Sequence, residues 1–584
     1  MQRLKPDLNS VLSIALVLIA IFLLLSFRPQ ELIRDSAGWA TVVATGDISI
    51  WHPHHLLYMP INWLFLQGLT LFCTECNAVD AGQLHGAIWA VVMVLSVHYL
   101  VSSLTGRPVL GFALALLLLT SQSVWVLALQ PQAYVPLIGT LSLMFAYLFI
   151  TKAQSYSLRW ALTVAALFSL AVLYHQAMVL LSLPLAYYVA TTKKPHGIKA
   201  ASIILCASGS MVLGLYLWAT SHVMGELTIH SFYEYLTLFA QVMADPKYFS
   251  FGNYTLGNTL VLLNSQLDAI FIPPWGLRKW VFTLFVLAIA FMLAWNVRQI
   301  LVKASLYEER TLLLIIIAIF WALTLWGNPT DFGWPAFILL PIFILAGLSL
   351  ADFMPSIERI KPMPTLIYAA LAILVVGVAL RNFNERILPM HLDKGADYHY
   401  AKSIAAVVPH ECYVYETQML VYYDLNYYFS RSTRDFWDLI TAAYYGNSEK
   451  NRYFSSLDQS SCVAVDTKYL DPSLNVSGKS GFQLPEQWLR LMIWLFDLRE
   501  TATGQFTWRD FHVVSAQNKR TYIIVNNKQK TAPLPISAFW QSLKNTADQS
   551  KTNKPEGYSR WLNETCLKSD IDKSLEKFCK EQGN

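Results

Sequence analysis

The sequence predicts a mostly α-helical, polytopic membrane protein with a polar C-terminal α/β domain. Three observations predict it. Of its 584 residues, 55% are hydrophobic and only 14% charged, whereas a soluble chain carries about a quarter charged residues; mean hydropathy is +0.40. The apolar residues also come in blocks long enough to cross a bilayer, the first running from Val11 to Phe27. After Leu380 those blocks stop, and a polar stretch continues to Asn584. The net charge of +5 is small for this length and carries no nucleic-acid signal.

The first block reads as a span rather than a cleaved signal peptide, because Phe27-Arg28-Pro29-Gln30 follows it and no small-residue cleavage site does. Arg3 and Lys5 precede it, which predicts a cytoplasmic N-terminus. Lys and Arg then recur in alternate short loops: Arg107; Lys152 and Arg159; Lys193, Lys194 and Lys199; Arg298, Lys303 and Arg310; Arg359 and Lys361. The loops between them, 121–133, 221–258 and 327–334, are poor in both. On a criterion of roughly 20 apolar residues per helix, spans are expected at 11–27, 83–104, 109–121, 134–150, 160–173, 177–192, 199–219, 278–297, 311–327, 333–350 and 364–380. That is about eleven, and an odd number places the C-terminus outside.

Two segments need separate treatment. The stretch 160–192 is too long for one helix and short for two. Arg159 and Lys193 at its ends both favour the cytoplasm, so a hairpin turning at Tyr174-His175-Gln176 is expected, with His175 at the outer surface. His55 to Phe72 is apolar enough to span. The loop after it has Glu75 and Asp80 but no Lys or Arg, so the stretch is expected to lie on the outer surface.

The expected domains are therefore 1–380 in the membrane, with a first outer loop at 28–82, and 381–584 outside. The outer part has room for one domain. Its pattern predicts helices at 396–408 and 418–429, a strand Cys412–Glu416, a helix near 436–445, and a strand Cys462–Asp466. A hairpin is expected from Phe511–Ser515 and Thr521–Val525 around Gln517-Asn518-Lys519.

Seven cysteines are present. Cys412 and Cys462 each open an expected strand, and two parallel neighbours in register would bring them within disulfide range. Cys566 and Cys579 could tie down the tail. Cys73 and Cys76 form a Cys-x-x-Cys in the first outer loop, read as a disulfide in preference to a redox or zinc site because no second pair accompanies it. Cys206 is left inside a span. Three outer pairs suit an oxidising periplasm.

Several polar residues could carry chemistry. Asp35 lies just past the first span, in Arg34-Asp35-Ser36-Ala37-Gly38-Trp39. A partly desolvated carboxylate there can act as a general base; it can equally cap the helical-looking stretch 36–45, and the two roles are compatible. Asp47 follows Gly46 and reads as a turn residue. His52-Pro53-His54-His55 places three imidazoles in four positions. Pro53 forces an extended backbone at His52, which favours phosphate or sugar-hydroxyl contact over metal ligation. Gln132 and Tyr134 stand in an outer loop that could line a cavity or simply form the interfacial belt. His175 is an ionisable residue at membrane depth and leans functional. Arg278 and Lys279 are cations on the outer side, against the inside rule; holding a lipid phosphate and snorkelling to headgroups both explain them. Asp331 is the acid of the loop Asn328-Pro329-Thr330-Asp331-Phe332-Gly333-Trp334-Pro335, with a plain turn as its simpler reading.

The Asp35 loop, the following His52-Pro53 segment, a His-bearing outer turn and a soluble outer domain together resemble the GT-C glycosyltransferase superfamily. The nearest resemblance is to its bacterial protein O-mannosyltransferase-like and lipid A aminoarabinose transferase-like branch. Gln132-Ala133-Tyr134 stands where a related group has Glu-Val-Tyr, which removes an acid. Val408 to Glu416, followed by Tyr422-Tyr423-Asp424-Leu425-Asn426-Tyr427, resembles the start of the soluble domain in such proteins. No Trp-Trp-Asp occurs in the outer domain, unlike an oligosaccharyltransferase, and no Asp-x-Asp occurs in the first loop, so a required divalent metal is not implied.

The resemblance implies an inverting transferase of the bacterial inner membrane, with Asp35 as base. The donor would be a polyprenyl-phosphate sugar and the acceptor a periplasmic glycolipid, polysaccharide or protein. No cofactor is implied beyond that donor. The alternative is a transporter or flippase for a lipid-linked glycan, which calls for charged or broken helices near mid-membrane.

Overall fold

The computed structural model describes residues 7–33, 36–46, 51–236, 254–302, 306–327, 333–357, 359, 363–416, 419–435, 460–466, 495–515, 521–535, 538–539 and 542. The chain divides into two compact units, one of 1–32 with 42–393 and one of 33–41 with 394–584.

The first unit is helical. Its elements are α1 (Leu8–Ser26), α2 (Ser36–Thr45, whose first residues belong to the second unit), a 3-10 turn Pro53–His55, α3 (Tyr58–Thr70), α4 (Ala78–Thr105), α5 (Pro108–Thr120), α6 (Gln122–Ala128), α7 (Tyr134–Ile150) and α8 (Leu158–Tyr174). A 3-10 stretch Gln176–Leu181, α9 (Ser182–Thr192), α10 (Gly197–Met224), α11 (Ile229–Leu236), α12 (Leu256–Ile270), α13 (Arg278–Leu301), α14 (Tyr307–Trp326), α15 (Gly333–Ile357), α16 (Met363–Asn382) and α17 (Leu388–Leu392) follow.

Among the described residues, seven helices are long and apolar enough to cross a membrane, the character of a membrane protein. The pair α5 and α6 passes the same test together but bends by 67°, and α7, α8 and the stretch Gln176–Thr192 are shorter apolar helices. A helix stands at each of the eleven expected positions, but only some reach full spanning length.

Two sequence expectations need correction. The stretch 121–133 is not simply a loop. Residues 122–128 form the buried helix α6, because its polar groups turn inward: Ser123 Oγ donates to the Ala269 carbonyl at 3.1 Å. The stretch 221–258 contains α11 and the start of α12, an amphipathic helix begun by a Thr255 cap on the Asn258 amide.

The core forms around α4. Asn77 and Asp80 make a reciprocal capping box at its start, and Gly106 ends it in a left-handed conformation. It packs on α7, α5, α1 and α3, burying Met93, Val97, Leu141 and Met144. Gly139 permits the α4–α7 approach: a Cβ there would lie 2.7 Å from the Trp89 carbonyl oxygen.

The second unit holds α18 (Gly395–Ala405), β1 (Cys412–Glu416), α19 (Met419–Phe429), β2 (Thr433–Asp435), β3 (Cys462–Asp466), β4 (Arg499–Glu500), β5 (Phe506–Thr507), β6 (Arg509–Ser515) and β7 (Thr521–Lys530). Five strands form one mixed sheet in the order β2-β1-β3-β7-β6. β1 runs parallel to β3 with Cys412 opposite Cys462, and the two are disulfide-bonded. β6 and β7 pair as the expected hairpin, Ser515 opposite Thr521; its turn and the helix expected near 436–445 lie outside the described residues. Val414, Val421, Leu425, Ala464 and Ile524 form the core between sheet and helices. Cys73 and Cys76, in the first unit, are also disulfide-bonded.

Candidate active site

The segment Trp51–His55 is clamped from three directions. Tyr216 of α10 donates its hydroxyl to the Pro53 carbonyl, and Tyr235 of α11 donates to the Trp51 carbonyl at 2.7 Å. The Leu57 amide donates to the Leu173 carbonyl at the end of α8 at 3.1 Å. Pro53 opens the 3-10 turn, where its missing N–H costs nothing, and the His55 amide closes it onto the His52 carbonyl at 3.0 Å. A local His-Pro-His-His pattern thus becomes a fixed platform.

The platform meets the α8 hairpin. His175 is the residue at which α8 ends and the 3-10 stretch begins. Its ring centroid lies 4.9 Å from that of His55, edge to face. His52 and His55 stack at 5.9 Å, and His54 lies 5.7 Å from His52. Phe337 of α15 touches His175 at 5.8 Å and Tyr134 of α7 at 5.4 Å. His52, His54, His55, His175 and Tyr134, far apart in sequence, therefore form one continuous patch.

The platform rings lie outside the spanning helices and are held neutral. Burial keeps His52 well below the ordinary histidine value, with the neighbouring His55 and His54 adding to the effect. Burial alone brings His54 down to about 4. Burial brings His55 to about 3, against an opposing hydrogen bond to Tyr174 and with His54 helping.

Beneath the platform is a second ring that sequence reasoning missed. His85 of α4 is buried, and its Nε2 accepts from the Trp89 indole at 3.0 Å and lies 3.0 Å from the Tyr174 hydroxyl. Because the indole can only donate, His85 carries its proton on Nδ1 and donates it to Asn62 Oδ1 at 2.9 Å. Tyr58 and Phe65 stack on the ring at 5.6 and 5.1 Å. The available signal was an ionisable residue inside an apolar span.

The remaining candidates stand differently. Gln132 is buried just before α7, its backbone N–H donating to the Gln130 backbone carbonyl at 2.7 Å. Arg278 is ion-paired with Asp268 of α12 at 2.6 Å and also donates to Asn264 at 3.2 Å. That pairing accounts for a cation on the side expected to be poor in them, and a phosphate would have to compete with Asp268 for it. Lys279 is exposed. Asp35, Asp47, Asp331, Cys566 and Cys579 lie outside the described residues. Among the described residues, no group of three or more His, Cys, Asp or Glu side chains is arranged to hold a metal ion.

Compared with solved structures, the chain aligns with ArnT from Cupriavidus metallidurans bound to undecaprenyl phosphate at a TM-score of 0.50. Identity is 13%, and 88% of this chain and 97% of that one are covered. It has the GT-C fold. The oligosaccharyltransferase of Archaeoglobus fulgidus, solved with zinc and sulfate, aligns at a TM-score of 0.49 with 11% identity, over 85% of this chain and 72% of its own. No family model and no curated protein matches the sequence. The GT-C likeness is therefore one of fold, at 13% sequence identity to the ArnT structure.

Proposed function

We propose that this chain is an integral-membrane glycosyltransferase that takes a sugar from a polyprenyl-phosphate donor and passes it to a periplasmic glycolipid, polysaccharide or protein. The observation that carries this reading is the joining of His52, His54, His55, His175 and Tyr134 into one patch, in a fold shared with an ArnT crystallised with undecaprenyl phosphate. Asp35 removes the acceptor's proton as the acceptor heteroatom attacks the anomeric carbon. The bond from that carbon to the phosphate oxygen breaks, and the polyprenyl phosphate departs with the electron pair, with inversion at the sugar. It needs hydrogen bonding and charge neutralisation rather than a proton. The patch binds the donor, and Gln132, Lys279 and Asp331 extend the binding surface. Arg278 contributes only after exchanging Asp268 for phosphate. The site faces the periplasm from the bacterial inner membrane, with the N-terminus cytoplasmic and residues 381–584 outside.

Lipid mass spectrometry on wild type, a deletion strain and the deletion carrying Asp35→Asn tests this. A polyprenyl-phosphate monosaccharide should accumulate in both mutants. Lipids unchanged in the deletion strain would contradict the donor class. Wild-type behaviour of Asp35→Asn would remove that residue's role.

The transporter alternative finds one favourable feature, the 67° bend between α5 and α6. The bend is tied off internally. Asn382 Nδ2 donates to the Thr120 and Ile270 carbonyls at 2.8 and 2.7 Å, and Ser121 Oγ donates to the Leu118 carbonyl. Carbonyls used in this way serve packing, whereas a transporter's unwound helix turns them toward its cargo.

A further inference from the structure

The seam between α4 and α7 is tight at Gly139, where α7 meets the Trp89 carbonyl. Further along the same two helices it holds a cavity of about 390 Å³. Two stripes line that cavity. Val92, Leu95 and Tyr99 stand at helical spacing on α4, and Leu143, Tyr147 and Ile150 do so on α7. These six side chains are half-buried or exposed, whereas the two small residues of the lining, Ser96 and Ala146, are each only 6% exposed. The cavity is therefore a groove with a small-residue floor and taller apolar walls, open on the side away from the helical core. Each stripe rises about 10 Å along its helix. Thr151 also lines the groove, but its polar atoms are already used: Oγ1 accepts the Trp160 indole at 2.8 Å, and the carbonyl accepts the Lys193 ammonium at 2.6 Å. The Tyr99 and Tyr147 hydroxyls bond to no protein group among the described residues.

We propose that this groove holds one acyl chain of a bilayer phospholipid, lying along α4 and α7 with its glycerol esters near the Tyr99 and Tyr147 hydroxyls. α4 has the length and hydropathy of a spanning helix, so a groove on its outward side meets hydrocarbon rather than water. The bulk bilayer is as apolar as the groove, so no hydrophobic drive moves the chain into it. The gain is dispersion contact with walls and floor that an unfilled groove would forfeit. Shape and polarity then select the occupant. A groove that follows the helix axes matches a linear chain along the bilayer normal. A sugar or a phosphate would find almost no polar partner in it. A second helix, about 10–12 Å across with its side chains, is too wide to reach Ser96 and Ala146. Tyrosine near a helix end is also placed where its ring meets the chain and its hydroxyl meets the ester region. The inference is independent of the proposed sugar transfer.

Photolabelling of the full-length protein tests this, in vesicles of phosphatidylethanolamine and phosphatidylglycerol that include a phosphatidylethanolamine with a diazirine at mid-chain. Peptide mass spectrometry locates the labels. The comparison is the exposed face of α13 at Leu284, Leu287 and Phe291, which any passing lipid reaches. In wild type, residues 92–99 and 143–150 should be labelled about fivefold more than that face. Ala146→Phe places a ring on the groove floor; it should bring groove labelling down to the α13 level and leave α13 itself unchanged. The wild-type contrast needs no variant, so it stands as the readout should Ala146→Phe fail to fold. Groove labelling no higher than that of α13 in wild type would overturn the proposal, including the case in which a second copy of the chain shields the groove. A folded Ala146→Phe protein labelled as strongly as wild type would overturn it too.

Discussion

The two ends of α7 and α8 are both buried and polar, yet they are built on opposite principles. These helices have 17 residues each, so the ends stand about 25 Å apart. At one end the ammonium of Lys193 donates to the Thr151, Lys152 and Gln154 carbonyls at 2.6, 3.1 and 2.9 Å, using all three of its hydrogens. Lys152 pairs with Glu309 at 2.8 Å and Glu308 at 3.0 Å, and Tyr188 adds a hydroxyl to Glu309. Burial would depress the Lys152 ammonium, but the hydrogen bonds and charge of Glu309 and Glu308 hold it above its ordinary value. Nearby, Arg310 donates to Asp352 and to Asn296. Full charges here close on one another or, for Lys193, on backbone carbonyls. At the other end the groups are rings and hydroxyls, and backbone partners orient His55 and His175. A closed charge network holds helices together, whereas rings of fixed polarity can exchange a partner at small electrostatic cost. On the proposed function the first end is structural and the second binds the ligand.

That division can be broken by mutation. The largest effect is expected from Lys152→Ala, which strands the buried Glu309 carboxylate beside the Tyr188 hydroxyl. Breaking a buried pair costs about 3 kcal/mol or more, taken at the low end because Lys152 is 28% exposed. Thermal melting in detergent should drop sharply while the surviving folded fraction binds undecaprenyl phosphate as wild type does. Lost binding without lost stability would break the contrast.

Acidification should act on the opposite end. The platform histidines have folded values below the ordinary 6.5, so the unfolded chain binds protons first. Their contribution to stability is intact above about 6.5 and falls as pH drops toward about 4, where His54 itself protonates. Hydrogen-exchange protection of residues 51–57, expressed relative to the intrinsic rate at each pH, should fall between pH 7.5 and 5 ahead of protection around Lys193; equal loss at both ends would contradict the assignment.

Between the ends, Gly139→Val forces a branched side chain against the Trp89 carbonyl and should cost about 2 kcal/mol in melting, with no preference for either end. The smallest expected change is Tyr174→Phe. It removes the hydroxyl beside His85 but keeps the carbonyl that orients His55, so about 1 kcal/mol of stability should go with lipid binding retained. A Tyr174→Phe variant that folds normally yet binds no lipid would give the buried His85 network a direct role.

The legible part of this site was local. Pro53 dictates an extended backbone at His52 whatever surrounds it, and Tyr174-His175-Gln176 was expected to turn because Arg159 and Lys193 favour the same side. The strands at Cys412 and Cys462 were readable because parallel neighbours in register place the two sulfurs together. What escaped depends on contacts between distant helices. Phe337 is one apolar residue among many in α15, and only packing places it between His175 and Tyr134. His85 needed Asn62, Trp89 and Tyr174 from three helices to become meaningful. Arg278 looked like an unexplained cation because its partner Asp268 sits on the preceding helix, brought back by a turn through Pro273 and Pro274. The break at Ser121-Gln122-Ser123 was legible as the end of an apolar run, but not that the residues after it return as a buried helix.

The most direct test of the account is a cryo-EM structure of the full-length protein with undecaprenyl phosphate. The phosphate should lie against the patch of His52, His54, His55 and His175, with the Lys152–Glu309 and Arg310–Asp352 pairs unchanged. Phosphate density at the Lys152 and Lys193 end, or on Arg278 with His175 uninvolved, would contradict the assignment of the histidine end as the binding site.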